Sequence, residues 1–167
     1  MRALVLSRYG GPEHTALTDV PQPSPRTGEL LVRVHAAGLN PVDFKTRAGA
    51  LKIIHNYPLP IVMGNELSGV VEAVGPGVMR FAKGDRVFAR VNKDFMGAFA
   101  EYAVVHEDHA ARMPTSLDFP SAVAVPLATM ADHSCRKAAS GSVLIALRAG
   151  IKLATSATST SSNDMPR

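Results

Sequence analysis

Apolar and polar residues alternate along much of the first 105 residues, and this pattern predicts short β-strands. The clearest strand runs from Glu29 to Gly38, with alternate apolar residues (Leu30, Val32, Val34, Ala36) on one face and Arg33 and His35 on the other. Turn residues separate this strand from its neighbours. Short strands at this spacing favour a small β-barrel. Further strands are predicted at residues 1–6, 15–20, 66–74, 86–91 and 98–105.

Two helices interrupt the predicted strands. Pro41 suits the first turn of a short helix that continues to about Ala48, and Gly49 would end it. An alanine-rich stretch from Asp118 to about Ala139 predicts a second helix, capped by Ser116 or Asp118 and kinked by Pro126. With 13 Gly and 12 Pro in 167 residues, the chain is rich in turns, and its fold class is predicted to be mainly β with short helices.

Composition divides the chain into three parts. Residues 1–130 carry the strand and turn signals of one folded domain. Residues 131–153 form an atypical, partly helical segment. Residues 154–167 are dominated by Ser and Thr, which cannot bury a core, so this tail is predicted to be disordered.

Charge and composition exclude several classes of partner. The net charge of +4 lies entirely in residues 133–167, because residues 1–132 carry 13 basic and 13 acidic side chains. The predicted domain therefore has no basic cluster for nucleic acid. No apolar run approaches the roughly 20 residues of a membrane span, so no membrane partner is expected. Cys135 is the single cysteine, which fits a cytoplasmic protein.

Three phrases stand in order between residues 38 and 102. They are Gly-Leu-Asn-Pro-Val-Asp (38–43), Gly-Asn-Glu-Leu-Ser-Gly continuing to Gly-Pro-Gly (64–77), and Gly-Asp-Arg-Val-Phe (84–88) followed by Gly-Ala-Phe-Ala-Glu-Tyr (97–102). In this order they resemble the catalytic domain of the medium-chain dehydrogenase/reductase superfamily, in its zinc-free quinone oxidoreductase branch. The resemblance covers about residues 1–130 and implies a GroES-like, partly open β-barrel.

The ligand positions of zinc-dependent relatives carry amides here. Those relatives have a Cys where this chain has Asn40 and a His where it has Asn65. An amide is a poor zinc ligand beside thiolate and imidazole, so no metal is expected. The neighbouring His106 and His109 are better explained by a solvated loop. Glu66, which lies beside the metal in zinc relatives, is expected to form a hydrogen bond inside the barrel.

The resemblance implies an enzyme that passes hydride from NADPH to a small quinone or enone, with the cofactor supplying the chemistry. Asn40 and Asp43 would then face the nicotinamide and substrate cleft. Lys45 is a weaker candidate for a cofactor phosphate. Helix capping by Asn40 and an ordinary first-turn charge at Asp43 explain the same residues equally well. Tyr57 and Phe44 are candidate cleft walls, although core packing is the stronger explanation.

A second, dinucleotide-binding domain of Rossmann type is expected after such a segment, yet the chain contains no G-x-G-x-x-G turn to hold a pyrophosphate. Residues 142–146 resemble the first strand of such a domain without that turn. We therefore expect a truncated catalytic portion, with no Rossmann domain, that is not competent alone. The alternative is a non-catalytic GroES-like module that pairs with itself or with a full-length homologous reductase.

Overall fold

The computed structural model describes residues 1–92 and 94–126, together with the backbone of residues 143–145. Two short 3-10 turns lie at Pro12–His14 and Glu107–His109. The strands and helices in these ranges are, in chain order, β1 (Arg2–Leu6), β2 (Thr15–Asp19), β3 (Glu29–Leu39), α1 (Pro41–Arg47), β4 (Ile61–Val62), β5 (Glu66–Val74), β6 (Arg86–Arg90), β7 (Tyr102–His106), β8 (Ala110–Arg112), α2 (Phe119–Ala122) and β9 (Val143–Ile145).

The strands form two antiparallel sheets and no closed barrel. The smaller sheet has the order β2-β1-β4, and the larger has the order β7-β3-β5-β6-β8 with β9 paired to the end of β3. An isolated bridge between Ala3 and Ala100 joins the two sheets. The predicted fold class, mainly β with a partly open arrangement of strands and short helices, is confirmed.

Strand β3 pairs with three other strands of the larger sheet. It pairs with β5 over residues 30–37 and with β7 over residues 29–33. The predicted alternation holds in part: Leu30, Val32, Val34 and Ala36 are at most 4% exposed and Arg33 is exposed, but Leu31 and Ala37 are buried as well. Between the two sheets lies an apolar core to which β1, β3, β5, β6 and β7 all contribute, with Leu6, Leu67, Val71, Val87 and Val105 completely or almost completely buried.

The strand predicted at residues 98–105 is wrong at both ends, because β7 runs from Tyr102 to His106. The backbone at Ala98 and Phe99 bonds to other partners. The Phe99 N–H donates to the Met63 carbonyl at 2.8 Å, and the Phe99 carbonyl accepts from the Leu4 N–H at 2.8 Å. The extended chain before β7 therefore forms its backbone hydrogen bonds with Leu4 of the smaller sheet and with Met63, and not with β3.

The predicted helix at 118–139 is interrupted in its described part. Asp118 caps α2 as expected, accepting from the Ser121 N–H at 2.9 Å. This helix ends at Ala122, two turn residues follow, and residues 125–126 are helical again. The remainder of that prediction, and those for segments 131–153 and 154–167, fall outside the described residues apart from the three-residue β9, which lies antiparallel to β3.

Side chains from the larger sheet hold α2 in place. The His35 ring stacks on the Phe119 ring with centroids 4.3 Å apart, and Ser68 Oγ donates to the Phe119 carbonyl at 2.7 Å. Arg86 donates to the Leu117 carbonyl at 2.8 Å, and its guanidinium lies over the Phe119 ring. Among the described residues, the buried Nε2 atom of His35 finds no hydrogen-bond partner. Burial, followed by the charges of Arg33 and Arg86, lowers the pKa of His35.

Candidate active site

The first half of the site is the start of α1. Asn40 has extended backbone angles and is the N-cap, and Pro41 occupies the first helical turn, where its missing N–H costs nothing. Asp43 lies three residues after the cap and accepts the Asn40 N–H at Oδ2, 2.7 Å away. Asn40 is 6% exposed and Asp43 is 1% exposed. The helix start therefore presents a buried amide and a buried carboxylate side by side.

The second half is the start of β5. Gly64 adopts φ +100°, a left-handed value that suits glycine, and so brings the next two residues into the interior. The Asn65 amide donates to Asp43 Oδ1 at 2.7 Å. The Asn40 amide donates to Glu66 Oε1 at 2.5 Å. Asn40, Asp43, Asn65 and Glu66 thus form one connected group, called the amide–carboxylate cluster below.

Each side-chain amide of the cluster donates a hydrogen bond to one carboxylate. Buried carboxylates are costly unless donors satisfy them, and here two amides and a backbone N–H do so. Gly38 on β3 leaves room for this arrangement, because a Cβ at that position would overlap the Glu66 carboxylate. The positive end of α1 lies next to Asp43 and further favours its negative charge.

Burial nevertheless raises the pKa of Asp43 above its usual range. The hydrogen bonds from the Asn40 backbone and the Asn65 amide oppose that rise without cancelling it. The nearby Tyr57 hydroxyl feels the same environment: burial raises its pKa, and the charges of Asp94, Tyr9 and Asp43 add to the effect. The site is a low-dielectric interior in which new charge is disfavoured.

The structure brings two of the three predicted site residues together. Asn40 and Asp43 are joined in the amide–carboxylate cluster, whereas Lys45 lies exposed on α1. Tyr57 packs in the core as expected, but Phe44 does not, since it is 47% exposed. The predicted hydrogen bond of Glu66 in the interior is confirmed.

Sequence analysis did not assign Asn65 and Glu66 as partners of Asn40 and Asp43. The signal that could have identified them is the two amides standing at the ligand positions of zinc relatives. Positions that gather round one metal lie close enough to bond to each other when the metal ligands are replaced. Asn65 and Glu66 are only 4% and 3% exposed, which completes a fully interior cluster.

The chemistry of the cluster does not favour zinc, because its donors are amide and carboxylate groups. Within residues 1–92 and 94–126, no three His, Cys, Asp or Glu side chains gather where they could hold a metal ion. The rings of His106 and His109 lie 6.1 Å apart beside an exposed 3-10 turn. No helix in the described part of the chain is long and apolar enough to cross a bilayer.

An open cavity of about 560 Å³ lies along β6. Arg90, one of its lining residues, is the cross-strand neighbour of Glu66 in the β5–β6 ladder. The cavity therefore adjoins the strand that carries half of the amide–carboxylate cluster. Its other lining residues include Asp94, Asp108, His109 and Pro126.

Comparison with known proteins decides the family. Residues 26–115 match the alcohol dehydrogenase GroES-like domain, which is more than half of the chain. This chain belongs to that family. The quinone oxidoreductase of Rattus norvegicus is 37% identical over 162 residues, covering 93% of this chain and 48% of the relative. The chain is accordingly placed among the quinone oxidoreductase-like members of the medium-chain dehydrogenase/reductase superfamily.

Solved structures agree with this placement. The quinone oxidoreductase from Coxiella burnetii shares 33% identity with a TM-score of 0.71, covering 77% of this chain and 41% of that chain. The Escherichia coli quinone oxidoreductase complexed with NADPH shares 29% identity with a TM-score of 0.67, covering 75% and 37%. The GroES-like chain described here spans about half the length of the curated relatives that it matches.

Proposed function

We propose that this chain forms the catalytic-domain portion of a zinc-independent, NADPH-dependent quinone or enone reductase that works in the cytoplasm. The observation that carries the proposal is the amide–carboxylate cluster. It lies in a GroES-like domain, at the positions where zinc-dependent members of the superfamily hold their metal, and it is built from groups that bind a neutral polar ligand. The chain's sequence similarity to quinone oxidoreductases extends over nearly its whole length and supports the same substrate class.

The cluster fits one end of NADPH. Carboxylate and amide groups match the hydroxyl and carboxamide groups of ribose and nicotinamide, whereas two acidic side chains would repel the phosphates. Asn40 and Asp43 would hold that end. Lys45, exposed one turn away on α1, is the candidate for a phosphate. When bound, the cofactor supplies a hydride to the acceptor.

The residues of the chain orient the acceptor. The Asn40 amide nitrogen carries two hydrogens, and Glu66 accepts one of them, which fixes the plane of the amide. We assign the second hydrogen to the carbonyl oxygen of a quinone or enone. A preorganised neutral donor stabilises the negative charge that develops on that oxygen during reduction. Burial of the cluster strengthens the interaction by excluding water.

A chimeric enzyme tests this proposal. Residues 1–126 would replace the corresponding domain of the Escherichia coli quinone oxidoreductase, which supplies the remainder of that enzyme. We expect NADPH-dependent reduction of benzoquinone, and Asn40→Ala should lower kcat/KM by about 10–100-fold, the loss of one hydrogen bond to developing charge. Lys45→Ala should raise the KM for NADPH with kcat unchanged if Lys45 meets a phosphate.

The outcomes separate the candidate functions. A folded chimera without activity would contradict the reductase proposal and favour the non-catalytic module. Activity that Asn40→Ala leaves intact would contradict the role given to the amide. Capture of a full-length homologue by the wild-type chain, measured by analytical ultracentrifugation of the mixture, would identify the pairing module directly.

A further inference from the structure

Two adjacent isoleucines project from the molecule after α1. Ile53 is 100% exposed and Ile54 is 83% exposed, and Phe44 on the neighbouring helix is 47% exposed. Scattered exposed apolar residues are ordinary, but two fully exposed neighbours on one short loop are not. Residues 48–55 are called the isoleucine loop below.

The isoleucine loop is held by its own backbone. The Ile54 and His55 N–H groups both donate to the Leu51 carbonyl, at 2.9 and 2.8 Å, and the Lys52 N–H donates to the Gly49 carbonyl at 3.2 Å. Gly49 has φ +79°, which closes the turn after α1. These bonds pair three N–H groups and two carbonyls of the loop, which lowers the cost of bringing it to an apolar medium.

Basic residues predominate around the loop. Residues 44–65 contain Lys45, Arg47 and Lys52 and no acidic residue. Lys52 lies over the Tyr9 ring, with Nζ 4.9 Å from the ring centroid. Asp94 is the acidic side chain that meets the loop, at 3.8 Å from His55 Nδ1. The exposed isoleucines are therefore flanked by cations.

We propose that the isoleucine loop docks onto an anionic lipid surface, with Ile53 and Ile54 inserted among the acyl chains and Lys45 and Lys52 against acidic headgroups. Apolar side chains flanked by basic residues combine the two forces of interfacial membrane binding. Two isoleucines are too small an anchor for a protein partner, since a stable protein interface buries about 800 Å² on each side. Insertion between lipids needs only the side chains themselves.

This proposal departs from the expectation of no membrane partner, which rested on the absence of a spanning segment. It does not rest on the reductase proposal. A protein can dock on a lipid surface through one loop whether or not it reduces quinones. The cytoplasmic leaflet is the anionic surface that such a loop would meet.

Vesicle sedimentation of the 167-residue chain tests the proposal. We expect binding to phosphatidylcholine vesicles that contain phosphatidylserine, weak or no binding to phosphatidylcholine alone, and weakening by added salt. The double variant Ile53→Ser, Ile54→Ser keeps the charge and should lower the partition coefficient by about tenfold or more. Met79→Ser is the matched control, because Met79 is 91% exposed elsewhere on the surface.

A charge-matched pair excludes attraction by the basic residues of the segment 131–153. Lys45→Glu with Lys52→Glu and Arg148→Glu with Lys152→Glu change the net charge equally, and the first pair should weaken binding far more. Circular dichroism checks that each variant is folded. No sedimentation with anionic vesicles, equal binding by the double isoleucine variant, or dependence on Arg148 and Lys152 alone would each overturn the proposal. A dimer dissociated by the isoleucine changes, without vesicle binding, would show that the loop contacts a second copy instead.

Discussion

Asp43 connects the two halves of the amide–carboxylate cluster, since its two oxygens accept from the Asn40 backbone and the Asn65 amide. Asp43→Ala should lower the free energy of unfolding by about 2–6 kcal/mol, because two buried donors at about 1–3 kcal/mol each lose their acceptor. Urea denaturation measures the change. Lys45→Ala on the exposed face of the same helix should stay within about 0.5 kcal/mol. Equal stability of the two variants would contradict the network.

His35 makes the protein sensitive to mild acid. Its pKa in the folded state lies below the ordinary value of 6.5, because burial and the charges of Arg33 and Arg86 disfavour imidazolium. His35 is therefore neutral in both states above pH 6.5, and below it the unfolded chain binds a proton first, so stability falls until the pH reaches the folded pKa.

The variant His35→Phe should remove that part of the acid sensitivity. It retains a ring against Phe119 and cannot titrate. Unfolding free energies of wild type and variant, compared between pH 7 and pH 5, should diverge as the pH falls, with the variant losing less. Parallel curves would show that His35 has the same pKa in both states. Asp118 near Arg86 also titrates in acid but is common to both proteins, so it cancels.

At the scale of elements, the close pairing of β3 and β5 depends on a glycine. A Cβ at Gly69 would overlap the carbonyl oxygen of Arg33 on the neighbouring strand, which is backbone and cannot move aside. Gly69→Ala should therefore destabilise the protein by about 3 kcal/mol or more. The control is Gly84→Ala, where φ is +95° but no heavy atom lies within 4 Å, and the cost should be about 1–2 kcal/mol. Thermal or urea unfolding measures the loss of stability in each variant. A larger loss for Gly84→Ala than for Gly69→Ala would contradict the register of β3 and β5.

Strand β3 and helix α1 were predictable because each depends on local signals. In β3 the apolar alternation is matched by burial, and in α1 the Asn-Pro start and Gly49 end are capping signals. The start of β7 was not predictable, since Ala98 and Phe99 are as apolar as strand residues and differ only in their partners. The break in the helix after Ala122 was not predictable either, since residues 123 and 124 continue the same apolar, alanine-rich pattern.

In the candidate site too, local signals predict some contacts and distant contacts determine the others. Asn40 and Asp43 are three residues apart, so their contact follows from helix capping. Their links to Glu66 and Asn65 cross more than 20 residues and come from the packing of α1 against β5. Local pattern identified one half of the cluster, and only the fold could join it to the other half.

At the scale of the whole molecule, we expect that the polypeptide of these 167 residues, assayed alone, reduces no quinone with NADPH. Hydride transfer requires the nicotinamide within roughly 3–3.5 Å of the acceptor. In the proposed function the amide–carboxylate cluster would supply one wall for that geometry, while the sequence has no glycine-rich turn to anchor the pyrophosphate.

Nucleotide affinity of this polypeptide should accordingly be millimolar or weaker. Steady-state assays with NADPH and a benzoquinone, and calorimetric titration with NADPH, check both expectations. Turnover above the buffer rate that disappears in Asn40→Ala would show that these residues suffice for catalysis. The same turnover in both proteins would indicate a contaminating reductase.

The pairing of β3 also has a consequence for the order of synthesis. Strands β5 and β7, which pair with residues 30–37 and 29–33 of β3, are made after it, and β7 ends at His106, 67 residues beyond Leu39. At a synthesis rate of about 5–20 residues per second, β3 lacks its partner β7 for about 3–13 s. During that interval an apolar strand edge is open to other chains. A nascent chain of this protein should therefore depend on chaperones until residue 106 has emerged, and newly made protein should be far more prone to aggregate than the finished fold.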